Sequence, residues 1–95
     1  MVTVKDLKDW SEENGEDVVF DGPYMYNMAQ YQKLGDSFTE KIFNKYNHKI
    51  NDIEDIFDWY DPSVRPSGAN VDDAYDLLLE SFVDLINSEK LEKAW

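Results

Sequence analysis

The apolar pattern in the last quarter of the chain most limits what the chain can fold into. Its apolar positions are Val71, Ala74, Tyr75, Leu78, Leu79, Phe82, Leu85 and Ile86. Steps of three and four residues place these side chains on one face of an α-helix, and the stripe is wide enough to be buried in a core. Asn70 precedes the stripe as a suitable N-cap. The pattern predicts a long C-terminal helix over about residues 71–93.

The first part of the chain carries clear helix boundary signals. Thr3 and Asp6 have the spacing of a capping box, and Gly15 is a typical helix terminator, so we predict a first helix over about residues 4–13. The segment 17–20 is short and rich in β-branched and aromatic residues. It is the one place where the sequence allows a short β segment, although no partner strand is evident.

Three more helices are predicted in the middle of the chain. Pro23 suits the first position of a helix, and Gly35 suits its end, which predicts a helix over about residues 23–34. Two further capping signals predict helices over about residues 37–46 and 51–60. A loop rich in proline and glycine then leads to the long last helix.

A chain of 95 residues is sufficient for one domain with a buried core. We therefore expect residues 1–95 to form a single all-α domain of about five helices. The chain has no cysteine, which excludes disulfides, thiolate metal sites and a cysteine nucleophile. It also has no apolar run near the roughly 18 residues of a membrane span and no pattern of a secretory signal. These features predict a cytoplasmic protein.

The sequence offers little for catalysis. His48 is the only histidine, and its polar neighbours favour an exposed turn. The acidic segment 52–58 follows a helical pattern, so it cannot wrap around a cation as a calcium-binding loop does. No nucleophile, metal-ligand or phosphate-binding motif occurs. We expect a protein without enzymatic activity, catalytic residues, metal or cofactor.

Charge is the most unusual property of the chain. Twenty-one acidic and nine basic residues give a net charge of −12. The charge is divided unevenly, since residues 1–21 carry −5, residues 22–50 carry +2 and residues 51–95 carry −9. A protein with such a charge repels nucleic acid and anionic membranes and attracts basic partners.

The acidic residues form rows along the predicted helices. The last helix carries Asp72, Asp73, Asp76, Glu80 and Asp84, and the fourth helix and the loop after it carry Asp52, Glu54, Asp55, Asp58 and Asp61. The first helix adds a third row with Asp6, Asp9 and Glu13. Residues spaced i,i+4 lie about 6 Å apart along a helix, whereas duplex DNA carries one charge per about 1.7 Å. Several adjacent rows, or a homodimer, would approach the charge density of a duplex.

These rows predict a binding protein that mimics the phosphates of DNA and inhibits a basic, nucleic-acid-binding protein. The size, acidity and lack of cysteine resemble the small inhibitors that phages and mobile elements direct against restriction enzymes, CRISPR effectors or host DNA-binding proteins. The resemblance rests on composition and charge pattern, without a shared motif. It implies an anti-restriction or anti-CRISPR function in the cytoplasm of a host cell.

Three other interpretations remain open. The acidic faces could serve solubility alone, or the chain could be an immunity or antitoxin protein for one basic toxin. It could also be an adaptor of the transcription machinery that docks through the pair Trp59 and Tyr60.

The segment 23–34, rich in tyrosine and methionine, would belong either to the core or to such an interface. The lysines of residues 33–49 would pair with acidic residues of the same chain or of a second subunit.

Overall fold

The structure, a computed structural model, describes residues 1–49 and 71–93. Its elements are helix α1 (Val4–Asn14), strand β1 (Tyr24–Met25), helix α2 (Met28–Tyr46), helix α3 (Val71–Glu89) and strand β2 (Glu92–Lys93). The described part is mostly helical, in agreement with the predicted class. It contains three helices and not the expected five. The predicted helix 51–60 and the loop that follows it lie outside the described residues.

Helix α1 forms where its capping signals place it. The Thr3 hydroxyl accepts a hydrogen bond from the Asp6 backbone N–H at 3.2 Å, and the Asp6 carboxylate accepts one from the Thr3 N–H at 2.9 Å. The helix ends at Gly15, whose φ of 67° is the left-handed conformation that glycine adopts readily. Purely local interactions are sufficient for both boundaries, which is why the sequence predicted them.

A single helix, α2, stands where the sequence predicted two. It begins at Met28 and not at Pro23, because Asn27 and Gln30 form a capping box with two backbone–side-chain bonds of 2.8 Å. It also continues through Gly35, where the sequence predicted a break. A glycine inside a helix costs about 1 kcal/mol, which is less than burying the apolar side chains on either side of it contributes. The predicted helices 23–34 and 37–46 are therefore replaced by one.

The expected β segment at 17–20 is a turn. The Asp17 carboxylate accepts a hydrogen bond from the Val19 N–H at 2.9 Å, and the Asp21 N–H donates to the Asp17 carbonyl at 2.8 Å. This local bonding satisfies the backbone without a partner strand, while Val18 and Val19 enter the core at 1% exposure each.

The short sheet forms elsewhere, between residues near the start of α2 and residues after α3. Strands β1 and β2 are antiparallel, with Tyr24 opposite Lys93 and Met25 opposite Glu92. Helix α3 was predicted to continue to about residue 93. It ends at Glu89 because Lys90 adopts a left-handed conformation with φ of 51°, which turns the chain back toward β1.

Helix α3 supplies half of the buried apolar side chains in the described part of the chain and contacts both other helices. Its buried residues are Ala74, Leu78, Leu79, Ser81, Phe82, Leu85 and Ile86. Helix α1 contributes Leu7, and α2 contributes Leu34, Phe38 and Ile42. Among the described residues, no helix has the length and apolar character required to cross a membrane.

Candidate partner-binding surface

The acidic residues of α3 lie on the side of the helix opposite its core face. Asp72, Glu80 and Asp84 are exposed, while Asp73 and Asp76 are partly buried. The helix contains no lysine or arginine. The row that the sequence predicted is therefore present on the surface, and its charge must be balanced from other elements or from solvent.

Two residues of this row form ion pairs with the neighbouring helices. Lys8 Nζ of α1 lies 2.7 Å from an oxygen of Asp76, and Lys41 Nζ of α2 lies 3.4 Å from an oxygen of Asp84. Asp72 and Glu80 form no ion pair with any residue in the described ranges. Half of the i,i+4 row is thus partly neutralised by the fold itself. Pairs as exposed as these contribute about 0–1 kcal/mol each to stability.

Helix α1 continues the acidic surface. Asp9 pairs with Lys5 at 2.8 Å, and Glu12 and Glu13 are exposed on the last turn of the helix. The hydrogen bond from the Thr3 N–H lowers the pKa of Asp6, because it stabilises the ionised carboxylate. The turn after α1 adds three more acids, at positions 16, 17 and 21.

Helices α1 and α3 run antiparallel, as contacts at both ends show. The backbone N–H and C=O groups of Val2, before α1, bond to the side-chain amide of Asn87, near the end of α3, at 3.1 and 3.0 Å. At the other end of the contact, the hydrogen bond to Asp76 raises the pKa of Lys8, and the charge of Asp72 raises it further. We call the surface formed by the acids of α1, of residues 15–23 and of α3 the acidic face.

Helix α2 has the opposite balance of charge. It carries three lysines and two acids and so has a net charge of +1, compared with −2 for α1 and −6 for α3. Lys33 pairs with Glu89, and Lys45 lies 5.4 Å from the centre of the Tyr46 ring. The lysines of this segment therefore pair in part with acids of their own chain, the first of the two alternatives left open by the sequence. The described part of the chain is electrically asymmetric across α3.

Two tyrosines of the segment 23–34, Tyr24 and Tyr26, are partly buried and pack against the core. The rings of Tyr24 and Tyr26 pack edge-to-face with the ring of Phe82, at centroid distances of 5.8 and 5.6 Å. The Tyr26 hydroxyl donates a hydrogen bond to the Val19 carbonyl, and burial raises the pKa of Tyr26 to about 12. The two methionines behave differently, because Met25 and Met28 are 57% and 71% exposed.

The remaining predicted contact residues fall outside the described ranges. They are the acids Asp52, Glu54, Asp55, Asp58 and Asp61 and the aromatic pair Trp59 and Tyr60. The second acidic row and the aromatic docking site therefore stay predictions.

The possible metal ligands of the described residues are dispersed. Within residues 1–49 and 71–93, no group of three or more histidine or carboxylate side chains is arranged to hold a metal ion. His48 follows the left-handed cap Asn47 at the end of α2 and is partly buried. The chemistry available on the acidic face is that of carboxylates, which accept hydrogen bonds and pair with cations.

Sequence reasoning predicted two of the five residues that meet between the two acidic helices, Asp72 and Asp76, and missed the other three. Lys8, Ser11, Asp72, Tyr75 and Asp76 line a surface pocket between α1 and α3. Of these, Tyr75 was assigned to the apolar stripe, and Lys8 and Ser11 were not singled out. Their proximity depends on how two distant segments pack, for which the sequence has no local signal.

Comparisons with protein-family models, with curated proteins and with solved structures gave no match to this chain. The function must therefore be argued from the surface itself.

Proposed function

We propose that the protein is a non-enzymatic inhibitor whose acidic face occupies the phosphate-binding groove of a basic, nucleic-acid-binding protein. The observation that carries this proposal is the asymmetric charge of the fold. The acids are concentrated on α1, on the turn after it and on α3, whereas α2 is close to neutral. Acidic residues that served solubility alone would have no reason to be sparser on one of the three described helices than on the other two.

The spacing of the carboxylates supports a phosphate-like surface. Along α3, residues at i,i+4 are separated by about 6 Å, and the neighbouring helix α1 adds further exposed carboxylates. This density is lower than the one charge per about 1.7 Å of duplex DNA, and the lysines at positions 5, 8 and 41 reduce it further. The acidic face therefore resembles a sparse polyanion, and its attraction for a basic groove would depend strongly on salt.

The test is to capture proteins from a bacterial lysate on the immobilised chain. It compares two double variants that each remove two negative charges, one from α3 and the other from α2. Asp72→Asn with Glu80→Gln removes two exposed carboxylates from α3. Asp36→Asn with Glu40→Gln removes two from the exposed side of α2 and serves as the matched control. All four residues are exposed, so both double variants are expected to fold.

We expect the wild-type chain and the α2 variant to retain DNA- or RNA-binding proteins that duplex DNA elutes. The α3 variant should retain much less of the same proteins. The proposal fails if the two variants capture equally, or if duplex DNA does not compete with the captured proteins. In the second case the partner would contact the chain outside its nucleic-acid groove, as an immunity protein for a toxin would allow.

A further inference from the structure

The pocket between α1 and α3 has an unusual mixture of side chains. It has a volume of about 410 Å³ and is lined by Lys8, Ser11, Asp72, Tyr75 and Asp76. Two carboxylates, a hydroxyl and an aromatic ring thus meet at one place on the acidic face. Tyr75 is partly buried and packs against the core, which holds its ring in a defined position.

The pocket already accommodates a cation. The ammonium of Lys8 forms its ion pair with Asp76 here, and this hydrogen bond, with the charges of Asp76 and Asp72, raises the pKa of Lys8. Both partners of this ion pair are about half exposed, at 51% and 49%, so the ammonium can leave the carboxylate at little cost. A competing cation that makes more contacts can therefore replace the ammonium of Lys8 beside Asp76.

A guanidinium group has the properties that an ammonium lacks in this setting. It is planar, donates hydrogen bonds in a fork that matches a carboxylate, and stacks on aromatic rings, whereas an ammonium is a compact point charge. Tyr75 and Asp76 follow Asp72 at i+3 and i+4 on α3, and all three line the pocket, so a single guanidinium there can reach both carboxylates and the ring.

We infer that this pocket receives an arginine side chain of the protein partner, which displaces Lys8 from Asp76. The inference rests on the proposed function, and it specifies which basic residue the acidic face selects. Lysine side chains would be attracted to the whole face by charge, while arginine would gain additional contacts in the pocket.

The experiment compares acetylated octa-arginine and octa-lysine peptides as probes for the full chain at low salt. Tyr75→Leu removes the aromatic ring, and Tyr75→Phe retains it. Lys8→Ala removes the competing ammonium from the pocket, and Lys5→Ala removes an equal charge from the same helix outside the pocket. Thermal unfolding of each variant confirms that it is folded, and the two lysine variants leave the core untouched.

We expect octa-arginine to bind the wild-type chain more tightly than octa-lysine, and we expect Tyr75→Leu to weaken arginine binding by about two- to five-fold. Tyr75→Phe should behave as wild type. Lys8→Ala should strengthen arginine binding more than Lys5→Ala does.

The proposal that the pocket receives an arginine is wrong if Lys8→Ala and Lys5→Ala change arginine binding equally. It is also wrong if Tyr75→Leu leaves the preference for octa-arginine intact. If both peptides bind with the same affinity, the pocket is wrong while the acidic face stands. If neither peptide binds, the proposed function itself fails.

Discussion

The turn before β1 gives the sharpest test of the fold. A Cβ atom at Gly22 would lie 2.1 Å from the Val18 carbonyl oxygen and 2.7 Å from the carbonyl carbon. Both atoms belong to the backbone, so a rotamer change cannot relieve the contact. The two segments would have to separate by roughly 1 Å in a tightly packed region.

The cost of this movement follows from what the turn holds in place. Val18 and Val19 are each 1% exposed, and burial of a valine side chain contributes roughly 1.5–3 kcal/mol. Movement of the turn would displace both side chains in part. We therefore expect Gly22→Ala to lower the free energy of unfolding by about 3 kcal/mol. For a domain of this size, this corresponds to a decrease in Tm of about 12–24 °C.

Gly15 provides the matched control. It has φ of 67°, and no atom lies within 4 Å of the point that a Cβ atom would occupy, so Gly15→Ala introduces backbone strain without a steric clash. We expect that variant to lose about 1 kcal/mol. Urea unfolding followed by circular dichroism measures both variants. A loss for Gly22→Ala that is equal to or smaller than that for Gly15→Ala would refute the proposed close contact.

Three further predictions concern the contact between α3 and the residues before α1, the buried hydroxyl of Tyr26 and the net charge of the chain. Asn87→Ala leaves two partly buried backbone groups of Val2 without partners and should lower the free energy of unfolding by about 1–3 kcal/mol, measured by urea titration. Burial raises the pKa of Tyr26 from 10.0 to about 12, so the folded state holds the hydroxyl proton more tightly than the unfolded state does. The folded state is therefore favoured by this group below pH 10 and loses that contribution between about pH 10 and 12. Tyr26→Phe should reduce the fall in Tm over this pH range, measured in thermal melts. Because the chain carries a net charge of −12, about 0.5 M sodium chloride should raise its Tm by screening repulsion, and a lower Tm in salt would contradict this account.

Local signals in the sequence were sufficient for α1 and for the acidic row of α3. The capping box at Thr3 and the glycine at position 15 act within a few residues, and the period of the apolar residues in α3 determines which side faces the core. The acids between the apolar positions must then lie outside. No knowledge of the other helices was required for either prediction.

The length of α2 was mispredicted because tertiary packing outweighs a local helix-breaking signal. Leu34, Phe38 and Ile42 recur at i,i+4,i+8 across Gly35 and are all at most 1% exposed. This period, read without stopping at the glycine, would have predicted one helix. The short sheet and the end of α3 had no such signal, because β1 and β2 are separated by more than sixty residues and neither forms alone.

The sequence predicted which acids would lie on the surface of α3, but it did not predict the ion pairs that these acids form. The sequence places a carboxylate at position 76 and a lysine at position 8, but only the antiparallel packing of α1 on α3 brings them to 2.7 Å. The same packing creates the pocket beside Tyr75. Ion pairs between distant segments depend on the angle and register of helices, which single-sequence patterns do not encode.

The most direct test of the acidic face as a binding surface is an NMR titration of the ¹⁵N-labelled chain with a lysine-rich peptide at low salt. We expect chemical-shift changes concentrated at the amides of residues 9–17 and 72–84. Residues 33–45 of α2 should change little, and the changes should disappear at high salt. Shifts spread evenly over the three helices, or concentrated on α2, would contradict the claim that the fold assembles one acidic binding face.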